Sequence, residues 1–110
     1  MTFTISFYSS KVEADTLALP AGVLANLLRT LELIEEFGPE LGRPHTAPLG
    51  GGLFEIRAKG REGLARSVFC TLEGREIVIL VTAVKKTNAL PKRLMDLARK
   101  RRKEVQRDDR

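Results

Sequence analysis

The sequence predicts an α+β domain in which a mostly antiparallel sheet packs on an N-terminal helical hairpin and a basic helix ends the chain. This prediction depends on the spacing of apolar residues, which alternates near the N-terminus, becomes helical over 21–37 and alternates again over 53–84. The chain has 110 residues, 43% of them hydrophobic and 30% charged, which is typical of one small globular domain. We therefore expect a single domain over 1–110, with a frayed tail at 106–110.

The N-terminal part of the chain predicts a strand followed by two helices. Apolar and polar residues alternate over 3–8, as in a strand with one buried face. Ser10 is the predicted N-cap of a short helix over 10–19. Leucine and isoleucine then recur at helical spacing over 21–37, and Gly38 ends this second helix.

The middle of the chain predicts a loop and then three strands. Residues 38–52 are dense in Gly and Pro and are expected to form a loop. Strands are predicted over 53–59, 64–72 and 77–84, and the short turns between them indicate an antiparallel meander. The last strand, IVILVTAV, is almost continuously apolar and should be buried on both faces. The N-terminal strand is expected to join this sheet beside 77–84, since an isolated strand leaves its backbone groups unpaired.

Charge is unevenly distributed along the chain. Residues 1–41 carry two basic and six acidic residues, a net charge of −4, whereas residues 43–110 carry seventeen basic and eight acidic residues, a net charge of +9. Much of the positive charge follows Pro91, where basic residues surround a partial apolar stripe and predict a basic C-terminal helix. The split predicts one acidic face and one basic face, and the basic face is available to polyanions.

Composition also argues against several classes of protein. Cys70 is the single cysteine and lies in an apolar run, so it is expected to be a small buried hydrophobe. No apolar stretch approaches the roughly 18 residues of a membrane span, and the N-terminus lacks the basic region of a signal peptide, so an intracellular protein is expected. No phosphate-binding loop or metal-binding motif is present, and no cofactor or metal is expected. His45, the single histidine, is expected to be an exposed loop residue, with acid/base chemistry or a partner contact as the alternatives.

The most informative residues are cations on the three predicted strands. Arg66 interrupts an otherwise apolar row in its strand, Arg57 lies on the preceding strand, and Lys85–Lys86 directly follow the last one. In one interpretation Arg66 pairs with Glu55 across strands and the lysines are solvated. In the other, the cations converge on a site that binds phosphate and stabilises the charge that develops during phosphodiester cleavage. Both interpretations stay open at this point.

A resemblance to the RelE/ParE superfamily of bacterial toxins is carried by the order LFEIRAKG…GLARSVFCTLEGREIVILVTAVKKTNALPKR. Within the superfamily the sequence looks most like the phage-derived HigB-like branch, and VKKTNALP is the most specific match. The resemblance implies a curved sheet packed on the helical hairpin, a cytoplasmic toxin, and ribosome-dependent cleavage of mRNA without a metal. It also implies inhibition by a cognate antitoxin, which in this branch is usually a helix-turn-helix DNA-binding protein.

The resemblance also assigns residues. Arg66 matches the arginine that contacts the scissile phosphate, Arg57 matches a basic position of the preceding strand, and Lys85–Lys86 match the basic pair that ends the last strand. Residues 89–110 hold neither the Tyr nor the His found there in relatives, so Glu55 and a lysine of the cationic cluster are the candidates for base and acid. The predicted catalytic residues are Arg66, Arg57, Lys86 and Glu55, and the predicted RNA-binding residues are Lys85, Lys59, Arg61, Lys92 and Arg93.

Two other functions compete with the nuclease. A ParE-like member of the same fold would bind and inhibit gyrase without catalysis. A non-catalytic nucleic-acid-binding module would need little more than the basic C-terminal helix. Discrete cuts inside codons of a translated message would distinguish the nuclease from both.

Overall fold

The computed structural model describes residues 2–84 and 90–108, without the side chain of Asp108, and confirms the predicted α+β class. A five-stranded sheet in the described residues has helices on both sides. No helix within these ranges is long and apolar enough to cross a membrane. In chain order the elements are β1 (Thr4–Phe7), α1 (Ser10–Leu17), α2 (Ala21–Phe37), β2 (Thr46–Gly50), β3 (Leu53–Gly60), β4 (Gly63–Leu72), β5 (Glu76–Val84) and α3 (Lys92–Asp108).

The sheet has the strand order β1-β5-β4-β3-β2. Strands β2 to β5 pair with one another in antiparallel fashion, and β1 pairs with β5 in parallel, Thr4 lying opposite Glu76. The predicted meander and the predicted place of the N-terminal strand are both confirmed. Residues Ile77 to Val81 of β5 are buried, as expected for a central strand that is covered on both sides.

Helices α1 and α2 cover one side of the sheet, which we call the hairpin face. Alternation along β3 directs Ile56 to this face, where it is fully buried with Leu27 and Ile34 of α2. Helix α3 covers the opposite side, the α3 face, through Leu94 and Ala98, which pack in a second apolar cluster. The two cores are therefore separated by the sheet itself.

The predicted separation of charge follows these two layers. Glutamates 32, 35 and 36 are exposed on α2, whereas Arg99, Lys100 and Lys103 are exposed on α3. Because the two helices lie on opposite faces of the sheet, one side of the molecule is acidic and the other is basic.

A β-bulge in β5 lies where Arg101 of α3 is hydrogen-bonded to the sheet. The pairing of β4 with β5 passes from Val68–Val81 to Phe69–Ile79, so Leu80 has no residue opposite it. Its carbonyl accepts a hydrogen bond of 2.6 Å from Nη1 of Arg101 on α3. The guanidinium of Arg101 also lies 4.7 Å from the centre of the Tyr8 ring. Tyr8 in turn donates a hydrogen bond to Glu104.

The turn between β3 and β4 supports the start of α2. Pro20 is the N-cap of α2 and offers no side-chain hydrogen bond, but the carboxylate of Glu62 accepts one of 3.1 Å from the Gly22 amide. This hydrogen bond lowers the pKa of Glu62. The approach is close: a Cβ on Gly60 would lie 2.5 Å from the backbone nitrogen of Val23.

Two sequence predictions need correction. The segment 38–52 is not wholly a loop, because it contains β2, an edge strand that tolerates Pro48 since an edge position need not donate a ladder hydrogen bond. Ser9, not Ser10, caps α1, its hydroxyl accepting from the Val12 amide. Helix α3 extends to Asp108, and the fraying expected over 106–110 stays a prediction.

Candidate functional site

Glu55, Arg57 and Arg66 form a charged cluster on the α3 face. Alternation along β3 directs Glu55 and Arg57 away from the hairpin face, and the antiparallel register places Arg66 of β4 directly opposite Arg57. Nε of Arg57 donates to Oε1 of Glu55 at 2.8 Å, and Nε of Arg66 lies 3.7 Å from Oε2. One carboxylate therefore contacts guanidinium groups on two strands.

Burial differs sharply within this cluster. Residues Glu55 and Arg66 are only 2% and 5% exposed, whereas the side chain of Arg57 is 40% exposed. The Glu55–Arg66 pair that the sequence left open is thus present, but the shorter contact joins Glu55 to Arg57. A carboxylate that accepts from the half-exposed arginine beside a buried guanidinium combines a proton acceptor with donors suited to phosphate oxygens.

A cavity of about 440 Å³ opens beside this cluster, at the end of β3 that β2 leaves unpaired. Arg57 and Lys59 of β3 line one side. The turn before β2 lines another with Arg43 and His45, and the cavity also reaches Asn26 of α2. Its remaining wall is formed by Pro44, Thr46, Ala47 and Leu64.

Backbone contacts fix the walls of this cavity. The Arg57 amide donates to the carbonyl of His45 at 3.3 Å, beyond the last pair of the β2–β3 ladder. The Lys59 amide donates to Oδ1 of Asn26, also at 3.3 Å. Two backbone amides at this end of β3 are therefore hydrogen-bonded, one to the turn before β2 and the other to α2.

The remaining predicted site residues are less closely grouped. Lys59 lines the cavity, and Arg61 is exposed in the turn between β3 and β4. Lys92 and Arg93 are exposed at the start of α3, where Lys92 forms an ion pair with Asp96 at 3.2 Å. Lys85 and Lys86 lie outside the described residues.

The predicted site residues did not include Asn26, Arg43 or His45 of the cavity, although acid/base chemistry had been an alternative for His45. Arg43 and His45 lie next to β2, a strand that the Gly- and Pro-rich sequence concealed, and Asn26 comes from α2. His45 is half-buried at the cavity, not a fully exposed loop residue. The available signal was the closeness of Arg43 and His45 in a segment that precedes a basic strand.

Cys70 has no part in this site. It is fully buried on the α3 face, as predicted, and burial raises the pKa of its thiol to about 11. Within 2–84 and 90–108, no three His, Cys, Asp or Glu side chains are grouped as metal ligands would be.

Comparison with known proteins supplies a family. The family model described as "Phage derived protein Gp49-like (DUF891)" matches residues 14–103, which include the charged cluster and every residue that lines the cavity. No curated protein matches the chain. A match over this much of the chain agrees with the resemblance to RelE-like toxins at the level of the superfamily. The chain belongs to the Gp49-like family of phage-derived, RelE-like proteins.

Proposed function

We propose that this protein is the toxin of a toxin–antitoxin pair, of the HigB-like branch, and that it cleaves mRNA on the ribosome without a metal ion. The observation that carries the proposal is the pair of arginines held around Glu55 on the α3 face. Membership of a RelE-like family supports the same proposal. The α3 face also belongs to the basic side of the molecule, which favours approach to RNA.

Arg66 has the central role in this proposal. Its guanidinium is buried and restrained beside Glu55, so little side-chain freedom remains to be lost when it meets a phosphate. The planar group can donate to two phosphate oxygens and stabilise charge as it accumulates on them in the transition state. Arg57, being partly exposed, can reach the same phosphate from the neighbouring strand, and Lys86 is assigned to it from the sequence.

Glu55 is the proposed general base. Its carboxylate would accept the proton of the ribose 2′-hydroxyl, the 2′-oxygen would attack phosphorus, and the bond to the leaving 5′-oxygen would break. The leaving oxygen would take a proton from a lysine of the cationic cluster. Lys85, Lys59, Arg61, Lys92 and Arg93 are proposed to hold the RNA strand.

The proposed partners are the ribosome with its mRNA and a cognate antitoxin, in the cytoplasm. A surface that combines an acidic and a basic side associates fast with a partner of complementary charge. We expect an antitoxin segment to dock on the basic α3 face or on the acidic hairpin. Co-purification from the native operon followed by sizing tests this, and recovery of the protein alone, harmless when expressed without its neighbour, would contradict it.

The function is tested by in vitro translation with primer extension on the message. Wild-type protein is expected to produce discrete cuts inside codons. Arg66→Ala is expected to lower the cleavage rate by about 10²–10³-fold, the effect of a lost transition-state donor. Arg66→Lys should also fail, because a point charge does not reproduce the bidentate geometry.

Arg29→Ala is the matched control, since it removes an exposed arginine from α2 on the opposite side of the sheet. Arg29→Ala should unfold thermally like the wild type. Arg66→Ala leaves buried Glu55 with one guanidinium partner fewer and should unfold at a lower temperature, so cleavage is compared where both variants are folded. An intact message together with broken DNA would identify a gyrase inhibitor instead. Normal cleavage by folded Arg66→Ala would leave the Glu55–Arg66 pair as a purely structural feature.

A further inference from the structure

The cavity beside the charged cluster has the dimensions of a binding site for one small molecule. Its volume of about 440 Å³ lies within the range of ligand pockets. Three parts of the chain build it: α2, the turn before β2 together with the start of β2, and the pair of strands β3 and β4. Hydrogen bonds at 3.3 Å join the Lys59 amide to Asn26 and the Arg57 amide to His45, so the walls are fixed before any ligand arrives.

The charge of the cavity selects an anion. Three of its lining residues, Arg43, Arg57 and Lys59, are cations. Within the described part of the chain, Arg57 is paired with Glu55, whereas Arg43 and Lys59 form no ion pair. A phosphate group would therefore meet two cations that need not leave a carboxylate partner.

The other walls suit a flat heterocycle. Pro44 and the imidazole of His45 provide surfaces on which a base can stack. The Oδ1 atom of Asn26 is occupied by the Lys59 amide, which fixes the amide plane, and its Nδ2 group donates to none of the described residues. An oriented amide donor beside a stacking surface is what recognition of a base edge requires.

Arg57 connects this cavity to the charged cluster. Its Nε contacts Glu55, and the same side chain lines the cavity. A strand whose scissile phosphate lies at Arg66 and Arg57 would therefore have a neighbouring nucleotide at the cavity mouth.

We propose that the cavity formed by Asn26, Arg43, His45, Arg57 and Lys59 binds one ribonucleotide of the RNA strand, adjacent to the phosphate that is cleaved. This inference rests on the proposed function, since it extends the same site by one nucleotide. Arg43 and Lys59 bind the phosphate of that nucleotide, His45 stacks on its base, and Asn26 reads the base edge. The subsite would thereby contribute to sequence preference.

Titration of the ¹⁵N-labelled full chain with the four ribonucleoside 5′-monophosphates, followed by amide chemical shifts, tests the proposal without ribosomes. The amides of His45, Ala47 and Lys59 are expected to shift in a saturable manner, and the four bases should differ in affinity. A trinucleotide RNA should bind at the same amides. His45→Ala and Arg43→Ala are each expected to weaken binding about tenfold, the effect of losing a stacking surface or a charged hydrogen bond. The matched control, Arg29→Ala, should bind like the wild type.

Several results would overturn the proposal. Equal shifts with inorganic phosphate alone would define a site for phosphate without a base. Binding of mononucleotides but not of the trinucleotide would define a site for a free nucleotide, and unchanged amides would exclude a ligand of this class. The two hypotheses fail separately: cleavage that is lost in Arg66→Ala but unaltered in position by His45→Ala would sustain the function and reject the subsite. Nucleotide binding without cleavage of translated mRNA would sustain a nucleotide site in the cavity and reject the nuclease function.

Discussion

The two faces of the sheet bury very different chemistry. On the hairpin face, the buried polar side chains within the described residues are all hydroxyls, which bond backbone groups or one another. Thr82, for example, lies 2.8 Å from both Thr16 and Ser67. On the α3 face, the carboxylate of Glu55 and the guanidinium of Arg66 are buried beside apolar residues: Val68 lies opposite Glu55 in the strand register. Both faces are covered by helices, but among the described residues buried carboxylate and guanidinium groups lie only on the α3 face.

This difference indicates how stability and function are divided. Buried apolar area and satisfied hydroxyls stabilise a domain, whereas a buried ion pair contributes little net stability because desolvation offsets its attraction. If the charged cluster binds RNA as proposed, the hairpin face supplies the rigidity that keeps the cluster in place. Glu55 and Ile56 are adjacent in β3 and point to opposite faces, so replacing each in turn tests this division between stability and function.

The largest loss of stability is expected from Ile56→Ala. Ile56 is fully buried on the hairpin face, so the truncation should lower the free energy of unfolding by about 2–5 kcal/mol. Denaturant titration measures this loss. The folded fraction should still cleave mRNA at the wild-type rate, and a specific loss of cleavage would show that the two faces are not separable.

Glu55→Gln is expected to reduce cleavage more than stability, which is the opposite of Ile56→Ala. The amide keeps the size of the carboxylate but presents a donor to the guanidinium groups, and the buried charge mismatch should lower the free energy of unfolding by about 2 kcal/mol. Cleavage of translated mRNA should fall far more than stability does, because the general base is lost. Wild-type cleavage by this variant would remove Glu55 from the catalytic residues.

Gly60→Ala should disturb the contact between the β3–β4 turn and α2. The new methyl group would meet the backbone of Gly22 and Val23 at 2.6 Å and 2.5 Å, so the turn must move, at a cost of about 1 kcal/mol or more. Thermal unfolding measures the effect, and Gly74→Ala compares a turn glycine with open space around it, although its positive φ adds strain of its own. Unchanged stability of Gly60→Ala would mean that this contact is not tight.

The smallest effect is expected from Glu62→Gln. Because the Gly22 amide lowers the pKa of Glu62, the carboxylate stabilises the fold above its ordinary pKa, and this contribution is lost as pH falls through the lowered value. Glu62→Gln should therefore melt slightly below the wild type at neutral pH, and the difference should shrink as the pH falls through the lowered pKa of Glu62. A difference that persists in acid would indicate an origin other than the charge.

Much of the fold could be predicted from local pattern. Alternation in β1 and β3 and helical spacing in α2 each reflect a single dominant period, and the continuous apolar run of β5 reflects burial on both faces. β2 could not be predicted in this way, because an edge strand needs few apolar residues and can include Pro48 and Gly50. The position of the α1 cap at Ser9 was ambiguous, since two adjacent serines offer the same hydroxyl.

The part of the site that follows from strand pairing could be predicted from the sequence, and the rest could not. Period two places Glu55 and Arg57 on one side, and an antiparallel turn brings Arg66 near them, which the register confirms. The cavity could not be predicted, because it forms where α2 and the turn before β2 meet the uncovered end of β3. Contacts between elements distant in sequence depend on tertiary packing, which local sequence patterns do not predict.

The parallel pairing of β1 with β5 has a consequence for how the molecule is made. Strand β1 finds its sheet neighbour only when Glu76 to Ile79 have been synthesised, while β3 and β4 pair through a short turn. Closing the long loop between β1 and β5 places this contact among the slower folding events. A chain that stops before β5 leaves β1 and one edge of β4 unpaired, so truncated products are expected to aggregate or be degraded. The sheet that carries the charged cluster is therefore complete only once β5 has been synthesised.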